Sequence, residues 1–270
     1  MILRPPIPSW TLLRLITSRR AATIYAGTNT IPPGLRLLPP RRMLYLFSVL
    51  TSKRLPAVTR AASIPEAIRP DHHNHNDMVN SVWLKNIGED YVELAFRAAS
   101  EADPSALLTY NDYGIEADAP EQERKRESIL AMLRRVRKEH VPIHALGVQS
   151  HLRPHGDPFS WNGLNTFLKE IRKLKMEVFV TELDVDDSAL PADIPERDRL
   201  VAEVYRSYLE NILRHESVKA VLTWCLSDRD TWLQGFRPRK EGLPQRPLPF
   251  DADLNPKPAF FALRDALSTR

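Results

Sequence analysis

Val178-Phe-Val-Thr-Glu-Leu-Asp-Val185 decides how the rest of the chain is read. Branched and aromatic residues in a brief apolar run indicate a buried strand. The run ends in two carboxylates, Glu182 and Asp184, followed by Asp186-Asp187. A carboxylate where a strand leaves the core is costly to desolvate, so it is either paired or put to chemical use. In a parallel α/β barrel, catalytic groups sit at that C-terminal rim. The alternative is a polar strand cap, and the neighbouring segments decide between the two.

Upstream and downstream, helix and strand patterns alternate. Leu84, Ile87, Tyr91, Leu94, Ala95 and Ala98 mark one face of a helix starting after Asn80. Strand Ala106 to Tyr110 ends in Asn111-Asp112, and a helix with stripe Ile129, Met132, Leu133 and Val136 follows. Strand Ile143 to Val148 ends in Gln149-Ser150-His151, before a helix carrying Leu164, Phe167, Leu168, Ile171 and Leu174. After the Glu182 strand comes a helix with Val201, Val204, Tyr205, Tyr208, Leu209 and Ile212. Strand Val218 to Leu226 ends in Ser227-Asp228, and Pro258 to Leu267 closes with a short helix. Strands separated by helices of this length imply βαβ crossovers and a parallel sheet. Polar residues at all four strand ends favour a barrel rim over unrelated loops. A complete eight-stranded barrel takes about 250 residues, and residues 81–270 supply half the strands.

The first part of the chain is a different object. Residues 1–65 contain ten Lys or Arg and no Asp or Glu, leaving 28 basic and 34 acidic residues in 66–270. The net charge of +4 therefore hides a basic arm and an acidic body, and the acidic body disfavours nucleic-acid binding. Pro5-Pro6, Pro32-Pro33 and Pro39-Pro40 break helices and remove backbone donors. The longest apolar run there, Met43 to Leu50, is far short of the roughly 20 residues that span a bilayer. A targeting segment and a polyanion-binding arm fit this composition. The favoured expectation is that residues 1–65 are foreign to the fold, as from a displaced or out-of-frame start, with the domain division set between 1–79 and 80–270. Cys225 is the only cysteine, which excludes an intrachain disulfide and fits a small buried hydrophobe.

Five segments occur in barrel order: Leu108-Thr-Tyr-Asn-Asp-Tyr113, Leu146-Gly-Val-Gln-Ser-His-Leu152, Val180-Thr-Glu-Leu-Asp-Val185, Thr223-Trp-Cys-Leu-Ser-Asp228, and the tail Leu248-Pro-Phe-Asp-Ala-Asp-Leu-Asn-Pro-Lys-Pro-Ala259. With Trp232, they resemble the C-terminal half of glycoside hydrolase family 10, the bacterial endo-1,4-β-xylanases, over residues 80–267. The resemblance implies an α/β fold of (β/α)8 TIM-barrel type, truncated to strands 5–8 with their helices. It implies retaining hydrolysis of internal β-1,4-xylosidic bonds, with xylan or xylo-oligosaccharide as partner and no metal or other cofactor. By resemblance Glu182 is the nucleophile, and His151 hydrogen-bonds it with Asp184 behind. Asn111 and Gln149 line the groove, while Trp224 and Trp232 pack on sugar rings. The family has Gly where Cys225 stands. Action outside the cytoplasm, extracellular or periplasmic, is implied by the family alone.

A retaining glycosidase needs a second carboxyl group about 5 Å from the first. The family supplies it at the end of the fourth strand, in a pattern like Trp-Asp-Val-Val-Asn-Glu. Here Ile68-Arg-Pro-Asp-His-His-Asn-His-Asn-Asp-Met-Val79 occupies the corresponding region. Glu66, the first acid in the chain, is excluded because no strand pattern and no Asn-Glu pair precede it. Asp71 and Asp77 are substitutes of shorter reach, and His72, His73 and His75 invite a metal reading whose spacing fits no closed site. The expectation is thus a chain with a nucleophile and no general acid. The alternatives are a carbohydrate-binding pseudoenzyme and another β-1,4-glycanase, such as a cellulase. Exposed sheet edges imply self-association, and no apolar run predicts membrane insertion.

Overall fold

The structure is a computed structural model that describes residues 61–70, 77–154 and 160–268. Its centre is a parallel sheet of β1 (Ala61–Pro65), β2 (Leu107–Asp112), β3 (Ala145–Val148), β4 (His151–Leu152), β5 (Glu177–Val185) and β6 (Val218–Thr223). β2 lies between β1 and β3, and β5 lies between β3 and β6, with the two-residue β4 extending the β3 side of β5. Among the described residues no further strand pairs with β1 or β6. The crossovers are α1 (Val82–Ile87), α2 (Tyr91–Ala102), α3 (Pro120–Lys138), α4 (Asn162–Lys173) and α5 (Ile194–Ile212), followed by α6 (Leu233–Phe236) and α7 (Pro258–Ser268).

The helical stripes pack as their spacing predicts. Ile129, Met132, Leu133 and Val136 of α3 are buried, as are Leu164, Phe167, Leu168 and Ile171 of α4. The α5 face from Val201 to Ile212 is buried too, with Tyr205 and Tyr208 fully enclosed. Strands β2, β3 and β5 are buried almost throughout, as parallel strands covered by helices should be.

Three sequence expectations change. The helix expected after Asn80 is two helices, because Gly88 at φ 90 ends α1 and Asp90 opens α2. The last strand stops at Thr223, three residues early, because Cys225 takes φ 78 and turns the chain. The boundary at residues 79 and 80 moves upstream. Ala61–Pro65 is a strand in full parallel register with Leu107–Asn111 of β2, and Ile68 and Met78 are buried and form an antiparallel bridge. Ala-Ala-Ser-Ile-Pro has no apolar alternation, so its strand character comes from the ladder with β2 and not from local pattern. The basic arm to residue 60, Asp71, His72, His73 and His75 lie outside the described residues. Among those described, no helix is long and apolar enough to cross a membrane, and no cluster of His, Cys, Asp or Glu could hold a metal.

Ser227 and Asp228 have a structural role. Asp228 pairs with Lys257 at 2.8 Å and accepts the Leu248 amide at 3.0 Å, while Ser227 Oγ donates to Asp251 O at 2.6 Å. These bonds latch the Leu248–Ala259 tail over the end of β6. Lys257 also reaches Asp198 on α5 at 3.6 Å, so the buried cation is shared by two carboxylates.

Candidate active site

A register irregularity places Glu182. Between Val180 and Asp184, β5 uses four residues where its neighbour uses three, from Val148 to His151. Against β6 it uses three, Val180 to Leu183, where its partner uses two, Val221 to Thr223. The extra residue therefore lies in β5 itself, next to Glu182. Such bulges re-aim side chains beside functional sites.

Glu182 is 2% exposed and meets donors at both oxygens. Asn111 Nδ2 donates to Oε1 at 2.7 Å, and His151 Nε2 faces Oε2 at 3.3 Å. Asn111 is itself fixed by Thr181 Oγ1, which donates to its Oδ1 at 2.7 Å. Gly147 makes room for it, since a Cβ there would stand 2.4 Å from Asn111 Oδ1. Behind the imidazole, His151 Nδ1 lies 2.9 Å from Asp184 Oδ1, and Trp232 Nε1 donates to Asp184 Oδ2 at 2.8 Å. Burial pulls the His151 pKa down, but Asp184 and Glu182 overcome it and raise it to about 10. The ring is thus a cation at neutral pH, donating from both nitrogens. Asn111, Gln149, His151, Glu182, Asp184 and Trp232 meet in one linked network.

Trp232 stacks on Phe236 with centroids 4.8 Å apart and tilts against His151 at 5.0 Å. Phe236 is 61% exposed and extends an aromatic surface outward from the carboxylates. Trp224 is half-buried, its amide donating to Leu183 O at 3.3 Å. Phe236 escaped the sequence reading because one aromatic in a polar stretch carries no pattern.

The main correction concerns Glu66. It follows β1 directly and its amide donates to Asn111 O at 2.9 Å, so it stands at the same rim as Glu182. Gln149 joins the two acids. Its Nε2 donates to Glu66 Oε1 at 3.1 Å, and its carbonyl accepts the Glu182 amide at 3.0 Å. Burial raises the Glu66 pKa; the Gln149 bond opposes this, while Asp112 and Glu182 add to it. Asp112 pairs in turn with the buried Lys125 at 2.7 Å and accepts from Tyr110. Asp77 is engaged elsewhere, accepting from Ser128 Oγ on α3 at 2.5 Å.

Glu66, Ser150 and Cys225 have φ values of 58, 64 and 78. All three stand just past strands at this rim, in a conformation that costs a non-glycine residue about 1 to 2 kcal/mol. Strain of this kind gathers where side chains must be aimed.

The fold has counterparts among known proteins. Residues 63–266 match the model of glycosyl hydrolase family 10. The chain is similar to endo-1,4-beta-xylanase B of Thermotoga neapolitana, 33% identical over 190 residues, covering 70% of this chain and 52% of that protein. It superposes on native xylanase 10B of Thermotoga maritima with a TM-score of 0.73 at 28% identity, covering 85% of this chain and 66% of that one. Xylanase 10B of Thermotoga petrophila RKU-1, solved in complex with xylobiose, gives 0.70 at 27% identity, with 85% and 64% covered. The chain spans about half the length of the curated relatives it matches. With the match running from the Glu66 strand to the last helix, the chain belongs to glycosyl hydrolase family 10.

Proposed function

We propose that this chain carries the catalytic carboxylates of a retaining β-1,4-xylan hydrolase, Glu182 as nucleophile and Glu66 as general acid/base. The observation that carries this reading is that Gln149 bonds the Glu66 carboxyl group through its side chain and the Glu182 amide through its backbone carbonyl, with both acids at one strand-end rim. Their environments differ in the sense the chemistry requires. Glu182 is surrounded by donors, which suits an acceptor-only carboxylate. Glu66 has its pKa raised, chiefly by burial, so it keeps a proton longer than an ordinary carboxyl.

In the first step Glu182 attacks the anomeric carbon while Glu66 gives its proton to the departing oxygen. In the second, ionised Glu66 takes a proton from water as that water displaces Glu182. Asn111 and the His151 cation hold the nucleophile in one orientation, and Asp184 and Trp232 hold His151. The Trp232–Phe236 surface suits pyranose faces, whose C–H groups are apolar. The xylobiose-bound relative supports a xylo-oligosaccharide as the ligand.

The test is a reaction with an aryl β-xyloside bearing a good leaving group, with the covalent adduct trapped and mapped by mass spectrometry. Wild type should label at Glu182 and Glu182→Ala should not. A folded chain that yields no Glu182-linked sugar sinks the proposal.

A further inference from the structure

Glu116 lies in the loop between β2 and α3, 5% exposed, and its sequence neighbours give no hint of a role at the site. Its two oxygens are taken up by backbone amides: Oε2 accepts from Ile115 N at 2.8 Å and Oε1 from Ser150 N at 2.9 Å. The second bond crosses to a different strand end. Ser150 there has φ 64, and its hydroxyl lies 2.6 Å from Tyr208 Oη of α5. On the other side of the loop, Arg126 Nη1 donates to Ile115 O at 3.1 Å and Ala117 O at 2.8 Å.

Ser150 separates two residues that matter. Gln149 before it bonds Glu66, and His151 after it faces Glu182 and bonds Asp184. β3 ends at Val148 and β4 begins at His151, so the whole offset between those strands is made at Gln149 and Ser150. An L-residue does not favour φ 64 unaided, and a serine there needs a compensating bond. The bond that the Ser150 amide donates to the buried Glu116 carboxyl group supplies it.

We propose that Glu116 is a positioning residue for both carboxyl groups of the site, holding the Ser150 turn that aims Gln149 at Glu66 and His151 at Glu182. The proposal rests on the reading of Glu66 and Glu182 as the catalytic pair. A carboxyl group serving only the β2–α3 loop has no need of the Ser150 amide. Among the described residues no cation is bonded to it, so its burial is costly, and burial raises its pKa. The charged and titratable groups about it are His151, Arg126 and Tyr208.

Glu116→Gln in the full chain keeps shape but presents an N–H to one of the two amides. The expected result is a fall in kcat of about 10²-fold from misplacement of the reacting groups, with KM changed far less. The His151 ring, followed by NMR, should titrate well below its value of about 10 in the unmodified chain. Adding Ser150→Gly, which accepts φ 64 without support, should recover about tenfold in kcat and raise the His151 titration above that of Glu116→Gln alone, since both variants lack the Glu116 charge that faces His151 and differ only in the turn. A fall in kcat with His151 unchanged and no recovery from Ser150→Gly makes Glu116 merely structural and overturns the proposal, as does an unaltered kcat. A second measurement serves if Glu116→Gln does not fold. In the unmodified chain the Ser150 amide and His151 ring resonances should shift together in the pH step that titrates Glu116. A His151 ring that ignores that step overturns the proposal. The NMR readouts need no activity, so they separate this failure from failure of the catalytic reading, which shows as wild type lacking Glu182-dependent labelling.

Discussion

The side-chain amide of Gln149 donates to Glu66 at 3.1 Å, from a position 83 residues away in sequence. Burial raises the Glu66 pKa and this bond opposes the rise. Gln149→Ala should therefore push Glu66 further up. The basic limb of the kcat/KM profile, where the acid loses its proton, should move to higher pH. A limb that stays in place or moves down separates Glu66 from the proton transfer.

Removing the proposed acid has a signature in leaving-group dependence. Glu66→Ala should lower turnover of xylan by about 10² to 10⁴. An aryl xyloside whose phenolate departs without a proton should be cleaved at a much smaller loss in the first step. Equal losses on both substrates would falsify the assignment of Glu66 as the acid.

His151 links stability to pH. Its folded pKa of about 10 lies above the ordinary 6.5, so its contribution is complete below about pH 6.5 and is lost as pH climbs through about 10. Asp184→Asn removes the main charge sustaining that rise. Urea unfolding at both ends of this window should show a smaller alkaline loss in Asp184→Asn than in wild type. Parallel losses in the two chains would mean that His151 and Asp184 are not coupled.

Gly147 is needed for space and not for backbone freedom. A Cβ there meets Asn111 Oδ1 at 2.4 Å and Cγ at 3.0 Å, and Asn111 is tied to both Thr181 and Glu182. Gly147→Ala should cost about 1 to 3 kcal/mol as an overpacked core. It should also reduce Glu182 labelling by pushing the Asn111 amide off the Glu182 carboxylate. Denaturant titration and adduct kinetics check the two effects; full labelling at wild-type rate would show that Asn111 can yield freely.

Cys225 stands at φ 78, in the left-handed region that favours glycine. Its thiol donates to Asp230 O at 3.4 Å. Cys225→Gly relieves the left-handed cost but adds flexibility to the unfolded chain, for a net gain on the order of 1 kcal/mol. Equilibrium unfolding should show it as a higher midpoint with an unchanged slope. A lowered midpoint would mean that the thiol packing outweighs the strain.

The parts legible in the sequence share one property: they depend on neighbours within a few residues. The stripe Val201, Val204, Tyr205, Tyr208 shows helical period, and Val178 to Val185 shows a covered strand ending in acids. The faces those patterns predict are buried. Gly88 shows the limit of period alone, since the stripe runs on from Leu84 to Ala98 while a φ of 90 splits the helix. Ala61–Pro65 shows the opposite limit. It carries no strand pattern, and Glu66 was excluded for that reason, yet five residues of β2 pair with it.

The amino-acid sequence by itself determined the helix faces and the order of strand ends, because burial follows local periodicity. Only the tertiary structure decided which side chains meet. Asn111 reaches Glu182 across 71 residues and Gln149 reaches Glu66 across 83. Such encounters are set by strand register, and here by one extra residue in β5 and left-handed turns at Glu66 and Ser150. A one-residue offset in pairing changes which face every later side chain presents, and register is a property of two strands at once that neither strand carries alone.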